Sequence, residues 1–96
     1  MQKEAYIYIL TNSTNKVLYV GVTSNLSQRI QQHKKGFYKN AFNTRYKITK
    51  LVYYELFLNI QDAIAREKQL KAGSRQRKLD LINLRNPEWK DLSIKE

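Results

Sequence analysis

Apolar and polar residues change period several times along the chain, and each change marks an element. Ala5-Tyr-Ile-Tyr-Ile-Leu-Thr11 is rich in β-branched and aromatic residues and runs into the turn-forming stretch Asn12-Ser-Thr-Asn15, which predicts a strand entering a hairpin. Val17-Leu-Tyr-Val-Gly-Val22 is the returning strand. Alternate residues of a pleated strand share a face, so Tyr6 and Tyr8 point the same way. Thr23-Ser-Asn25 offers N-cap residues for a helix over 26–35, with Gly36 as its stop. The stretch 36–50 is basic and without clean periodicity, and reads as a mobile loop with room for one helical turn. Leu51-Val-Tyr-Tyr-Glu-Leu-Phe57 is a third strand, Asn59 caps a helix over 60–71, and Ser74 caps another over 75–84. Asn86-Pro-Glu-Trp89 ends the helical pattern, the proline blocking further helix and the indole covering one end of the core. The order β-β-α-β-α-α predicts a small α/β domain, an antiparallel-led three-stranded sheet flanked by helices.

Length and composition narrow this picture. Ninety-six residues make one domain, 1–96, with a modest core. The chain has no cysteine, which excludes disulfides, thiolate metal cages and a cysteine nucleophile. No apolar run approaches the roughly 20 residues that cross a bilayer, and the polar amino end does not read as a signal peptide. The expectation is a soluble cytoplasmic protein with no membrane partner. Charge says more once it is divided along the chain. Between Ala5 and Tyr54 there are eight Lys and Arg and no carboxylate side chain; from Glu55 onward, nine basic residues face seven acidic ones. Such a field draws polyanions. No long helix with one apolar and one basic face is present to lie on lipid, so nucleic acid is the favoured partner.

Several residues stand where folding alone does not demand them. On the first helix Leu26 and Ile30 face the core, while Arg29 and His33 stack one turn apart on an adjacent face. A guanidinium with an imidazole beside it suits a phosphate, although a solvated helix flank also carries such pairs. On the second helix Ile60, Ala63, Ile64, Glu67 and Leu70 form one buried stripe, and a carboxylate there needs a cation. That cation is either a basic side chain such as Arg29 or a hard divalent metal ion. The seven tyrosines, clustered in the strands, serve sheet packing or a site. Gly21, two residues after Tyr19, reads as a bulge or a close backbone approach. In the basic loop, Phe37, Tyr38, Phe42 and Tyr46 either pack the loop down or stack bases.

Taken together, these residues resemble the GIY-YIG nuclease superfamily, in particular its small stand-alone bacterial members. Tyr6-Ile7-Tyr8 stands at the first motif and Tyr19-Val20-Gly21 at the second, ten residues apart, with Arg29 eight residues after Gly21. His33, Glu67 and the tail 86–92 fall at the later positions. The first motif begins with Tyr6 where the pattern has glycine. The resemblance implies a metal-dependent endonuclease acting on DNA in preference to RNA. Tyr8 and Tyr19, with His33, would prepare the attacking water; Arg29 would stabilise the phosphate's developing charge; Glu67 would be the sole protein ligand of one Mg²⁺ or Mn²⁺; Asn86 matches a late polar position. A chain of 96 residues has no room for a separate DNA-binding domain, which implies weakly specific cleavage or an unseen protein partner. The rival reading is a nucleic-acid-binding module of the same fold without useful turnover.

Overall fold

The computed structural model describes residues 4–35 and 47–93, and the predicted loop with its four aromatics falls almost wholly outside them. The elements are β1 (Ala5–Thr11), β2 (Leu18–Thr23), α1 (Leu26–Lys34), β3 (Lys50–Phe57), α2 (Ile60–Ala72) and α3 (Arg75–Arg85). This is the expected order, with boundaries within one residue of those read from the sequence. Each helix starts where a short polar side chain accepts a backbone N–H: Asn25 from Gln28, Asn59 from Asp62 and Ser74 from Arg77. The hairpin turn is held by Asn12, whose side-chain oxygen accepts the N–H groups of Lys16 at 2.9 Å and Val17 at 3.2 Å. Asn15 closes it at φ 59°, a region that asparagine tolerates better than most residues.

The sheet order is β2-β1-β3, antiparallel throughout, so β1 is central and β2 and β3 are edges. Strand alternation then divides the core. On one face Ile7, Ile9 and Val20 meet Ala63 and Leu70 of α2 and Ile82 of α3. On the other, Tyr8 and Leu10 meet Ile30 of α1, together with Ile48 and Leu51. Burying each of these aliphatic side chains contributes about 1.5–3 kcal/mol, which is what holds helices to both faces. Trp89 packs against the first cluster, as expected, with its indole N–H on Asn83 at 2.7 Å.

The pairing of β1 with β2 is regular from Tyr6↔Thr23 to Thr11↔Leu18, so there is no bulge at Gly21. The irregularity lies on β3, where Ile9 pairs with Tyr53 and Leu10 with Leu51, leaving Val52 extra. The freed Val52 carbonyl accepts the Asn86 side-chain amide at 3.0 Å. Beyond α3 the chain doubles along the β3 edge. Leu92 N–H donates to the Leu51 carbonyl at 2.7 Å, and Leu51 N–H donates to Asp91 at 3.3 Å. Asp91 also pairs with Lys34 of α1 at 3.1 Å. Burial opposes its charge, yet the hydrogen bonds from Ser93, Lys34 and Leu51 prevail and hold its pKa below the usual carboxylate value.

Candidate active site

The second sheet face gathers the aromatic residues singled out in the sequence. Tyr8 is fully buried, His33 is 7% exposed and Tyr19 is half-buried. The Tyr8 and His33 rings lie 6.0 Å apart, Tyr19 and His33 5.4 Å, and Tyr8 and Tyr19 6.5 Å. The Tyr8 hydroxyl reaches His33 Nε2 at 3.4 Å. Three elements therefore converge on one point: β1 through Tyr8, β2 through Tyr19 and α1 through His33.

Gly21 makes the convergence possible. It is the register partner of Tyr8, and the phenol crosses directly over its α-carbon. A methyl group built there overlaps the Tyr8 ring and hydroxyl, with ring Cε1 at 2.9 Å. Of the two readings of Gly21, close approach is the one realised, and for a steric rather than a conformational reason.

The electrostatics around the imidazole favour its neutral form. Burial lowers the His33 pKa below 6.5, and the positive charge of Arg29, one helical turn earlier, lowers it further. A neutral imidazole whose Nε2 is unprotonated accepts the Tyr8 hydroxyl hydrogen; one protonated at Nε2 donates to it. No carboxylate from β1, β2 or α1 competes, because those elements contain none.

Glu67 and Asn86 are not drawn into this cluster. Glu67 lies on α2, which packs on β1 and β2 from the opposite face. Its side chain is 16% exposed, and its ion-pair partner is Lys71 at 3.5 Å rather than Arg29. Ile64, expected on the same buried stripe, is 36% exposed, so that stripe narrows to Ala63 and Leu70 with Ile60 and Glu67 at its border. Asn86 is buried as the C-cap of α3. Its amide donates to the carbonyls of Val52 and Lys90 and accepts the Lys90 N–H, a full set of contacts to the backbone.

A divalent metal suits Glu67 in one respect and is constrained in another. A half-buried carboxylate whose ion pair is a single exposed lysine offers the hard oxygen that Mg²⁺ or Mn²⁺ prefers. Among the described residues no three His, Asp or Glu side chains come together. A metal there is one that keeps waters or takes substrate oxygens, as Mg²⁺ commonly does.

A second polar cluster escaped the sequence reading. Beneath the other sheet face the Tyr53 hydroxyl donates to Glu55, and Arg66 of α2 grips the same carboxylate through Nε at 3.0 Å and Nη2 at 3.1 Å. Burial first, then the Glu55 carboxylate, pushes the Tyr53 pKa up to about 12. Burial works against the Glu55 charge, but Arg66 and Tyr53 outweigh it and leave its pKa lowered. The available signal was parity: Tyr53, Glu55 and Phe57 alternate on one face of β3, which puts a carboxylate among covered positions.

The arrangement is thus a small α/β domain with two phenols and an imidazole packed together on one face of its sheet. The chain matches the GIY-YIG catalytic domain over residues 4–80. It belongs to that family, whose members are in general endonucleases. A UPF0213 protein of Syntrophus aciditrophicus is 40% identical over 83 residues, spanning 86% of this chain and 93% of that one. Another, from Staphylococcus haemolyticus, is 39% identical over 80 residues, spanning 83% and 95%. The solution NMR structure of a UPF0213 protein from Bacillus halodurans shares the fold, with a TM-score of 0.55 and 24% identity over 92% of each chain. Among the described residues no helix is long and apolar enough to cross a membrane.

Proposed function

We propose that the chain is a metal-dependent endonuclease that hydrolyses phosphodiester bonds of DNA. The observation that carries this reading is the packing of Tyr8, Tyr19 and His33 into one cluster, over a glycine whose missing side chain makes room for the first phenol. Tyr19 is the phenol that reaches solvent; Tyr8 is held beneath it against His33. Water attacks phosphorus as its proton passes to a phenol oxygen and that phenol's own proton moves on to the neutral imidazole; the bond to the 3′-oxygen breaks and that oxygen takes a proton from solvent, leaving a 5′-phosphate and a 3′-hydroxyl. An unperturbed phenol has a pKa of about 10, so acting as a base requires positive charge nearby. Arg29 supplies part of it and stabilises the charge that grows on the phosphate oxygens. A Mg²⁺ or Mn²⁺ on Glu67 would neutralise the phosphate and the departing oxygen. Among the described residues β2 is an edge strand, with the phenols on one face and α2 on the other, and in this reading the phosphate lies across that edge between Tyr19 and Glu67. Asn86 has no role at the phosphate here, because its amide is taken up by the backbone.

The test is nicking of supercoiled plasmid by the wild-type protein with Mg²⁺ or Mn²⁺, with EDTA as control. Metal-dependent nicking that EDTA abolishes is the expected result. Salt-sensitive binding without any nicking would replace this reading with that of a binding module.

A further inference from the structure

Strand pairing defines two poles of the sheet. Thr11 pairs with Leu18 and with Lys50, which brings the hairpin turn and the start of β3 together at one pole. Ala5 pairs with Phe57 and Tyr6 with Thr23 at the other. The connection between α2 and α3 belongs to the hairpin pole, since Arg75 Nη2 donates to the Lys16 carbonyl at 2.6 Å, across 59 residues of sequence.

Charge follows this geometry sharply. Segments 11–18, 47–51 and 71–78, at the hairpin pole, hold seven Lys and Arg and no carboxylate of their own; the carboxylates that reach them are Asp91, which accepts the Leu51 N–H and pairs with Lys34, and Glu67, which pairs with Lys71. Segments 4–6, 22–28 and 56–62, at the other, hold Glu4 and Asp62 and no Lys or Arg. The two long helices show that this is not a folding requirement. α2 follows the helix dipole, with Asp62 in its first turn and Lys71 in its last. α3 opens without an acid and with Arg75, Arg77 and Lys78 in its first turn, where the dipole opposes them. Arg75 and Lys78 each donate to one backbone carbonyl, of Lys16 and Gly73, which offsets part of this, but among the described residues no carboxylate neutralises the three charges at that helix start.

We propose that nucleic acid is gripped on one side of the cleavage site only, over the hairpin pole, where the exposed Lys16 and Arg75 contact backbone phosphates. The inference rests on the nuclease reading and adds a direction to it. Tyr19 lies one residue from the Leu18↔Thr11 pair, so a strand leaving the phenols toward this pole meets cations at once. Toward Thr23 the segments carry Glu4 and Asp62, and the first cation along the chain is Arg29. The substrate therefore needs backbone on one flank of the cut and tolerates its near absence on the other.

The test measures the affinity of the full-length protein for a DNA oligonucleotide in EDTA across a salt series. Lys16→Gln/Arg75→Gln is compared with the charge-matched Lys68→Gln/Arg85→Gln, exposed and outside these segments. Each lost phosphate contact flattens the slope of log affinity against log salt by about one. The first variant is expected to lose about two units of slope and the second none, with both retaining wild-type circular dichroism. In nicking assays on end-labelled strands, wild-type cuts are expected to approach one terminus closely and to stop several nucleotides short of the other. Equal slopes for the two variants, or cuts symmetric about the strand, would overturn the one-sided grip while leaving the nuclease reading intact. No binding by any form would overturn both.

Discussion

The two sheet faces each bury a tyrosine against a titratable partner, and they use it oppositely. Under α2 and α3, Tyr53 donates to Glu55, and Arg66 neutralises that carboxylate. Every charge in that cluster has its counter-charge inside the protein, and the phenol is pushed up to about 12. It is a closed network that joins β3 to α2. Under α1, Tyr8 and Tyr19 meet a neutral imidazole and a guanidinium one turn away, with no acidic residue on β1, β2 or α1. The same residue type thus serves cohesion where its partner is a carboxylate, and on the proposed reading serves a phosphate where the surrounding elements hold no acid.

The contrast breaks most sharply at the glycines. Gly21→Ala forces the Tyr8 ring to move, and nicking is expected to fall by roughly 100-fold or more, the range that removing a positioned acid–base group costs. Gly73→Ala is the control, since its nearest contact would be 3.4 Å away, and should leave the rate unchanged. A wild-type rate in Gly21→Ala would show that the position of Tyr8 does not matter.

Next come the phenols themselves. Tyr19→Phe and Tyr8→Phe should lower the single-turnover rate by about 10²–10⁴-fold, and Tyr8→Phe also removes a buried hydrogen bond to His33 worth about 0.5–1.5 kcal/mol. Tyr53→Phe should do the reverse, removing a hydrogen bond to a charged acceptor and about 1.5–3 kcal/mol of stability while the rate persists. Similar effects of all three on rate would erase the distinction between the faces.

Asn86→Ala addresses a residue that the superfamily resemblance offered as catalytic. Loss of its bonds to the Val52 and Lys90 carbonyls leaves buried acceptors unsatisfied and should cost about 1–3 kcal/mol in denaturant unfolding. The rate per folded molecule should hold, and a fall in that rate at full stability would return Asn86 to the reaction.

The smallest effect is on pH. His33 has its pKa lowered in the fold, so below pH 6.5 the unfolded chain takes up this proton more readily than the native one. Stability should therefore decline as pH falls from 6.5 toward the folded value, then level off with respect to this group. In His33→Gln that part of the decline should vanish; unchanged pH dependence would mean that burial does not disfavour the imidazolium.

Local chemistry explains why so much was legible beforehand. The caps Asn25, Asn59 and Ser74 act within three residues of themselves, and the parity of Tyr6, Tyr8 and Leu10 follows from the pleat alone. Gly21 was visible as an anomaly, but whether it bulged or yielded to Tyr8 depended on cross-strand register, which spacing along one strand does not determine. The same holds for the extra residue at Val52, the Asp91 contacts with β3 and α1, and the Arg66–Glu55 pair. Each joins elements distant in sequence. Glu67 shows the limit most clearly: its periodicity predicted partial burial correctly, yet its partner proved to be the neighbouring Lys71 and not Arg29.

The central claim is that the phenol cluster and Glu67 act on one phosphate from the two sides of β2. Its most direct test pairs single-turnover nicking in Mg²⁺ or Mn²⁺ with DNA affinity in EDTA, for wild type and Glu67→Ala. The expected result is a rate lower by at least about 100-fold with affinity unchanged within about twofold. Nicking by Glu67→Ala at the wild-type rate would contradict the claim and detach α2 from the chemistry.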